Sequence, residues 1–178
     1  MQLFLTRGLV AIAWAAAFAT VSDSLTSDVT VAAGVLLVLY PVIDVVASLI
    51  DARTANGSAR QLLLGGAAVS AVTAVALGIA ATQGVPEALA VFGAWAAISG
   101  AAQLVVALRR RAQLGNQWPM LFAGGVSVIA GVAFLAAATR SAPMLDMLAL
   151  YAATGGTDFI IQAALLARRR RRLATQPA

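Results

Sequence analysis

The chain has 178 residues, of which 61% are hydrophobic and 11% charged, and its formal net charge is +5. Soluble domains carry about 25% charged residues, so this composition excludes a water-soluble fold. The sequence contains no cysteine, histidine or lysine. The chain therefore forms no disulfides and lacks the usual ligands of zinc, haem and iron–sulfur clusters. Catalysis by cysteine or histidine is excluded as well. We expect an integral membrane protein with no metal and no cofactor.

Charged residues divide the chain into apolar stretches. Residues 61–86, 88–108 and 112–139 are uncharged, while 29–50 and 147–167 each contain one aspartate. A helix rises ~1.5 Å per residue, so about 20 apolar residues cross a ~30 Å hydrocarbon layer. Each stretch predicts a spanning helix. The apolar runs lack the period-two alternation of barrel strands, so we predict an all-α membrane protein.

The first apolar stretch is shorter. Residues 8–22 are uncharged and lie between Arg7 and Asp23. The stretch is long enough to span if residues 3–5 are included and Arg7 reaches to the interface. A signal peptide ending near residues 17–19 is the alternative. We favour a sixth spanning helix, because Arg7 lies inside the apolar stretch and six helices complete a repeat.

Arginine sets the expected orientation. Eleven of the twelve arginines fall on one side of the predicted helices, and only Arg140 falls on the other, with Asp28, Glu87 and Asp146. The positive-inside rule then places both termini in the cytoplasm. We expect a multi-pass protein of the cytoplasmic (inner) membrane, with residues 168–178 as a basic cytoplasmic tail.

Short loops join consecutive helices, which makes them antiparallel neighbours. We predict a six-helix transmembrane domain over residues 1–167, built from three hairpins at 3–50, 61–108 and 118–167. Small residues recur every four positions from Gly66 to Gly78 and from Ala123 to Gly131. Such faces favour close contact between helices in lipid.

The hairpins also share sequence features. Helices three and five both have a Gly-Gly pair, and helices four and six both have an aromatic residue five positions before a glycine. These motifs are Gly65-Gly66, Gly124-Gly125, Trp95/Gly100 and Tyr151/Gly156. Repeats of one orientation imply an axis along the membrane normal. We therefore predict a bundle with pseudo-threefold symmetry.

Two acidic residues lie within the predicted spans. Asp44 precedes Arg53, and Asp158 precedes Arg168, by about 13–15 Å of helix. A carboxylate at that depth is costly and is expected to face the bundle interior or a wet cavity. We predict a proton or polar-solute site between helices two, four and six. Its candidate residues are Asp44, Asp158, Tyr40, Gln103, Tyr151 and Thr157, with Ser99, Thr154 and Gln162 as further partners. The alternative is that protonated, hydrogen-bonded aspartates serve packing alone.

Two arginine runs follow inward helices. Arg109, Arg110 and Arg111 form one run, and Arg168, Arg169 and Arg170 begin the other. Such runs attract anionic lipid headgroups, although setting the topology is itself a sufficient role, and we favour that role. We expect no nucleic-acid partner. No phosphate-binding, dinucleotide or nucleophile-elbow motif occurs, so we expect no enzyme.

Several segments resemble the HdeD-like acid-resistance membrane proteins. The similar segments are residues 7–12, 40–44, 93–104 and 117–131, and Val45 stands where that family often has glycine. The resemblance spans nearly the whole chain and implies a six-helix inner-membrane protein. Some members of the family are linked to acid stress, and no catalytic or transport activity is established among them. The resemblance implies no site residues.

Three functions remain open from the sequence. The first is a non-enzymatic membrane protein that supports acid or envelope stress tolerance through its intramembrane carboxylates. The second is a small transporter or channel for protons or a small solute. The third is a structural or assembly partner of other membrane proteins. Membrane lipids, a second copy of the chain and other membrane proteins are the expected partners.

Overall fold

The chain forms six α-helices joined by short connections. The computed structural model describes residues 2–22, 25, 27–114 and 118–174, with side chains for all of these except residues 2, 110–114 and 169–174. The helices are α1 (Gln2–Ser22), α2 (Val31–Ala52), α3 (Gly57–Ala80), α4 (Val85–Leu114), α5 (Trp118–Ala138) and α6 (Met147–Ala174). Strands are absent from this described part of the chain.

All six helices that the described residues form are long and apolar enough to cross a membrane. The prediction of an all-helical protein with six such segments is confirmed. We call the end of the bundle that carries Arg53, Arg109 and Arg168 the arginine end, and the opposite end, with Asp28 and Glu87, the acidic end. Helix α6 continues to Ala174, so the first seven residues of the predicted basic tail are helical, and residues 175–178 lie outside the described residues.

Local sequence sets where the helices begin and turn. Thr30 caps α2 by accepting a hydrogen bond from the Ala33 amide at 3.3 Å. Pro41 lies within α2, which continues to Ala52. Gly84 has φ +148° in the turn before α4, a backbone conformation that favours glycine. The next amide, that of Val85, donates to the Ser27 carbonyl at 3.0 Å and thereby ties two acidic-end turns together.

Each helix packs against the next one in sequence, and α1 packs against α6. These contacts form a closed ring. The most extensive contacts join α2 with α3, α4 with α5, and α1 with α6. These three pairs fall between the predicted hairpins rather than within them. Helix α1 is a full member of this ring, because Trp14 and Phe18 lie in the core.

Glycines bring two of these pairs into backbone contact. A Cβ added at Gly8 would lie 2.7 Å from the Gly156 carbonyl oxygen, which is too close for any side chain. Glycines at two crossings of α4 with α5 stand equally close, Gly93 with Gly131 and Gly100 with Gly124. In the α2–α3 pair, by contrast, Gly34 and Gly78 face side chains at the ordinary distances of 3.6 and 3.7 Å.

The main apolar cluster lies in the acidic-end half of the bundle, while small buried residues such as Ala52, Ala107 and Ala163 continue the packing toward the arginine end. Every member of the buried cluster lies between the middle of its helix and the acidic end, or in an acidic-end turn. The large members are Trp14, Phe18, Leu25, Leu37, Leu77, Val85, Leu89, Phe92, Trp95, Phe134, Leu145 and Leu148. The ring of Phe92 is central, with centroids 5.4 to 5.9 Å from those of Tyr40, Trp95, Phe134 and Tyr151.

Candidate functional site

A hydrogen-bonded chain runs across three helices at mid-bundle. The Ser70 hydroxyl on α3 donates to Asp44 Oδ2 on α2 at 2.8 Å. The indole Nε1 of Trp95 on α4 donates to the same Ser70 oxygen at 3.0 Å. Because an indole nitrogen can only donate and a serine has one hydrogen, the chain has a fixed direction from Trp95 through Ser70 to Asp44. Ser70 is 1% exposed, so the bond from Trp95 is buried, while the bond to the partly exposed Asp44 is half-buried.

A second polar pair lies across the same region. The Tyr151 hydroxyl on α6 is 2.7 Å from Ser127 Oγ on α5, and Ser127 donates to the Ala96 carbonyl at 2.9 Å. That bond uses the only serine hydrogen, so Tyr151 is the donor to Ser127. Tyr40 lies one turn before Asp44 on α2, and the rings of Tyr40 and Tyr151 both contact Phe92. We call Tyr40, Asp44, Ser70, Trp95, Ser127 and Tyr151 the central polar cluster.

The central polar cluster lies where the apolar core ends. Phe92 contacts Tyr40, Trp95 and Tyr151 from the acidic-end side. Asp44 lies one helical turn beyond Tyr40 toward the arginine end and is partly exposed. The packed core therefore lies between the Asp44 carboxylate and the acidic end, so Asp44 is on the arginine-end side of that core.

Asp158 has different surroundings from Asp44. Its Oδ2 accepts a hydrogen bond from Gln162 Nε2, one turn later on the same helix, at 2.5 Å. Its side chain lines a groove between α5 and α6 together with Thr154 and Thr157. The structure thus packs Tyr40 and Tyr151 against the same Phe92 ring and joins Asp44 to Ser70, and it gives Asp158 a separate partner in a separate groove.

The other candidate polar residues also lie apart from the cluster. Thr154 and Thr157 donate to the carbonyls of Leu150 and Ala153 in their own helix, each at 2.8 Å. Gln103 packs at the α4–α5 crossing, where its Cβ would be 3.2 Å from a Cβ at Gly124. The two threonine hydroxyls are therefore bonded within α6.

The sequence analysis did not identify three partners in the cluster as site residues. Ser70 and Ser127 were visible only as members of small-residue faces, and Trp95 only as a repeated aromatic residue. The signal that could have identified them is a similar spacing, because Trp95 follows Ser70 by 25 residues and Tyr151 follows Ser127 by 24. That spacing joins a serine on one helix to an aromatic hydrogen-bonding residue on the next.

An ion pair at the arginine end was also missed. Arg7 Nη2 lies 3.1 Å from Asp51 Oδ2, with 17% and 29% of the two side chains exposed. The Arg7 guanidinium also stacks over the Phe159 ring, 5.8 Å from its centroid. Arg7 therefore connects α1 to both α2 and α6.

The arginine runs lie on helical extensions of α4 and α6. Arg109 and Arg168 are exposed. The side chains of Arg110, Arg111, Arg169 and Arg170 lie outside those that the structure describes. Across the described ranges, no three acidic, cysteine or histidine side chains come together as a metal site.

A family model described as a short repeat of unknown function (DUF308) matches residues 88–136. That segment covers most of α4 and α5, the pair joined by two glycine crossings. Neither the curated proteins nor the solved structures contain a match to the chain. The chain is thus an all-helical protein with six apolar helices, and part of it is similar to a repeat without an assigned activity.

Proposed function

We propose that this is a non-enzymatic protein of the cytoplasmic membrane that binds a proton at Asp44 and supports acid or envelope stress tolerance. The observation that carries the proposal is the chain from Trp95 through Ser70 to Asp44. Intramembrane carboxylates are retained at a cost and are usually functional. The resemblance to HdeD-like proteins supports the link to acid stress, and the DUF308 match is compatible with it.

A proton suits this site better than a bulky solute. Asp44 on α2 accepts from Ser70 on α3, one turn beyond Tyr40 on its own helix. Among the described side chains, no arginine pairs with Asp44. Protonation would remove the uncompensated charge and leave the Ser70 bond in place, because a protonated carboxyl group still accepts through its carbonyl oxygen. Proton binding therefore requires no rearrangement of the helices.

The position of the core supports binding from one side rather than passage through the bundle. The aromatic and aliphatic cluster around Phe92 fills the acidic-end half, which disfavours the channel alternative. With the termini in the cytoplasm, as the arginine distribution favours, Asp44 would respond to the cytoplasmic proton concentration. Exposed Arg109 and Arg168 would meet anionic headgroups at that surface.

We further propose that the bundle has the pseudo-threefold repeat that the sequence suggests. Buried or half-buried positions on α2, α4 and α6 recur at spacings of 55 and 56 residues. They are Leu37, Phe92 and Leu148; Tyr40, Trp95 and Tyr151; and Pro41, Ala96 and Ala152. The alternation of extensive and lesser contacts around the helix ring is compatible with such an axis.

A pH titration of tryptophan fluorescence tests proton binding directly. Because Trp95 is two hydrogen bonds from Asp44, protonation should change its emission. We expect the purified wild-type protein to give a titration that Asp44→Asn abolishes, while Asp28→Asn, at the exposed acidic end, retains it. A titration unaffected by Asp44→Asn would remove Asp44 as the proton site.

Survival of cells at low pH tests whether the protein supports acid tolerance. Cells lacking the protein would be complemented with wild type, Asp44→Asn or Asp28→Asn, at protein levels matched by immunoblot. We expect Asp44→Asn alone to fail to restore survival. Full survival with Asp44→Asn at normal abundance would contradict a role for this carboxylate in acid tolerance.

A further inference from the structure

The bundle is open between α5 and α6. This neighbouring pair has the least extensive packing in the helix ring, and a groove of about 560 Å³ lies between the two helices. Its apolar walls are formed by Trp118, Pro119, Phe122, Leu150, Ile161 and Leu165. The bulky side chains of this wall face the lipid region, with Leu150 72% exposed. We call this the α5–α6 groove.

The groove contains an acidic group that its own helix only partly satisfies. Asp158 lines the groove, and the Gln162 amide donates to one of its oxygens. A carboxylate has about four acceptor sites, and no arginine among the described side chains pairs with Asp158. A positive charge placed in the groove would therefore be attracted to Asp158 through a medium that screens charge weakly.

Aromatic faces lie nearer the arginine end of the same groove. The rings of Trp118 and Phe122 are 6.2 Å apart, tilted by 37°, and 63% and 51% of these residues is exposed. An organic cation within about 6 Å of an aromatic face gains a cation–π interaction, and it gains most when it is desolvated. The groove thus combines aromatic faces, apolar walls and one carboxylate.

We propose that the α5–α6 groove binds a lipophilic organic cation, with Asp158 as its counter-ion and Trp118 and Phe122 as aromatic contacts. A lipid acyl chain would cover the apolar walls but leave the carboxylate unpaired. A second copy of the chain would have to bring a basic side chain to the depth of Asp158. Its arginines lie near helix ends or in turns, and the most deeply placed, Arg7, is paired with Asp51.

This proposal is independent of proton binding at Asp44, because the two carboxylates have different partners. It can be tested with two probes of the same shape and opposite charge, tetraphenylphosphonium and tetraphenylborate. Each would be measured by scintillation proximity on the purified full-length protein, with protein-free micelles as the blank. We expect the cation to bind at least about tenfold more tightly than the anion, since both bury similar apolar surface and only the cation complements Asp158.

Substitutions in the groove test which side chains contact the bound cation. Asp158→Asn should weaken cation binding by about tenfold or more, and Asp158→Glu should restore most of it. Phe122→Leu should weaken binding by several-fold, because it keeps an apolar side chain but removes the ring face. Asp28→Asn, an acidic residue away from the groove, should leave the affinity unchanged.

Three results would overturn the proposal. They are equal binding of the two probes, cation binding that Asp158→Asn leaves intact, and disulfide crosslinking of Leu150→Cys between copies in membranes. The chain has no native cysteine, so such a crosslink would identify a second copy as the occupant. If Asp158→Asn does not fold, the comparison of the two probes on wild type and Phe122→Leu still decides the matter.

Discussion

Ser70 is the residue on which the central polar cluster depends, because it both accepts from Trp95 and donates to Asp44. Removing its hydroxyl leaves a buried donor and a carboxylate without their partner. Interhelical hydrogen bonds in membranes contribute about 0.6 kcal/mol on average and up to about 1.7, and unsatisfied buried groups cost about 1–3 kcal/mol. We therefore expect Ser70→Ala to lower the free energy of unfolding by about 1–3 kcal/mol.

The matched control is Thr73→Ala on the same helix. Thr73 is also buried, but its hydroxyl donates to the Val69 carbonyl within α3, so its removal leaves the cluster intact. Unfolding of the two variants in mixed micelles of increasing denaturing detergent would measure the difference. Equal losses from Ser70→Ala and Thr73→Ala would contradict the role given to the interhelical chain.

Individual residues could be predicted from sequence only when they broke a pattern. Asp44 and Asp158 were conspicuous as charges in apolar stretches. Ser70 was not, because a serine among alanines and glycines fits a packing face equally well. Its role depends on which helix face meets α2 and α4, and that is set by three-dimensional packing rather than by local sequence.

Glycine crossings hold the α4–α5 pair together. At Gly100 an added Cβ would lie 2.6 Å from the carbonyl oxygen of Gly124, and at Gly125 it would meet nothing within 4 Å. Overpacking typically costs about 1–3 kcal/mol, while replacing an unconstrained helical glycine by alanine gains up to about 1 kcal/mol. We expect Gly100→Ala to destabilise the protein and Gly125→Ala to leave it unchanged or stabilise it.

Thermal unfolding of both variants in the same detergent would measure this difference. Both variants replace a helical glycine by alanine, one on α4 and one on α5. A general effect of alanine on helix propensity would therefore change both stabilities in the same direction. A Gly100→Ala protein as stable as Gly125→Ala would show that the helices can separate at this crossing without loss.

The helices themselves were predictable, but their closest partners were not. Charge spacing marks six apolar segments because lipid imposes a minimum length on a span. Gly65-Gly66 seemed equivalent to Gly124-Gly125, yet among these four glycines only Gly124 lies against another helix, and a Cβ at any of the other three would meet open space. A glycine permits close approach without requiring it, so the pattern alone does not identify the pairs that use it.

The terminal helices close the ring, and Arg7 is the polar link. Its partner Asp51 lies in the last turn of α2, and the Arg7 guanidinium stacks on Phe159 of α6. Breaking one side of a shielded ion pair leaves the other charge uncompensated. Arg7→Gln and Asp51→Asn should therefore each destabilise the protein. The double variant should lose less stability than the sum of the two single losses, and the difference, the coupling energy, should be about 0.5–3 kcal/mol.

The double-mutant cycle would be measured by detergent-induced unfolding at low and high salt. A coupling energy near zero under both conditions would mean that the ion pair has no part in holding α1 to α2. Arg53→Gln, two residues after Asp51 in sequence and exposed, is the matched single variant and should have little effect.

Charge asymmetry between the two ends of the bundle gives the last prediction, which concerns the whole molecule. Arginines concentrate at one end because cytoplasmic loops retain positive charge during insertion, so the arginine end should face the cytoplasm. The exposed Ser58 lies at the arginine end, and the exposed Ser141 lies at the acidic end. In the cysteine-free chain, Ser141→Cys should react with a membrane-impermeant maleimide in intact cells, and Ser58→Cys only after permeabilisation. The reverse pattern would show that the arginine end faces the outside, so that Asp44 would respond to the external proton concentration. That outcome would leave the hydrogen-bonded cluster unchanged but require the acid-tolerance proposal to be rebuilt around external acid.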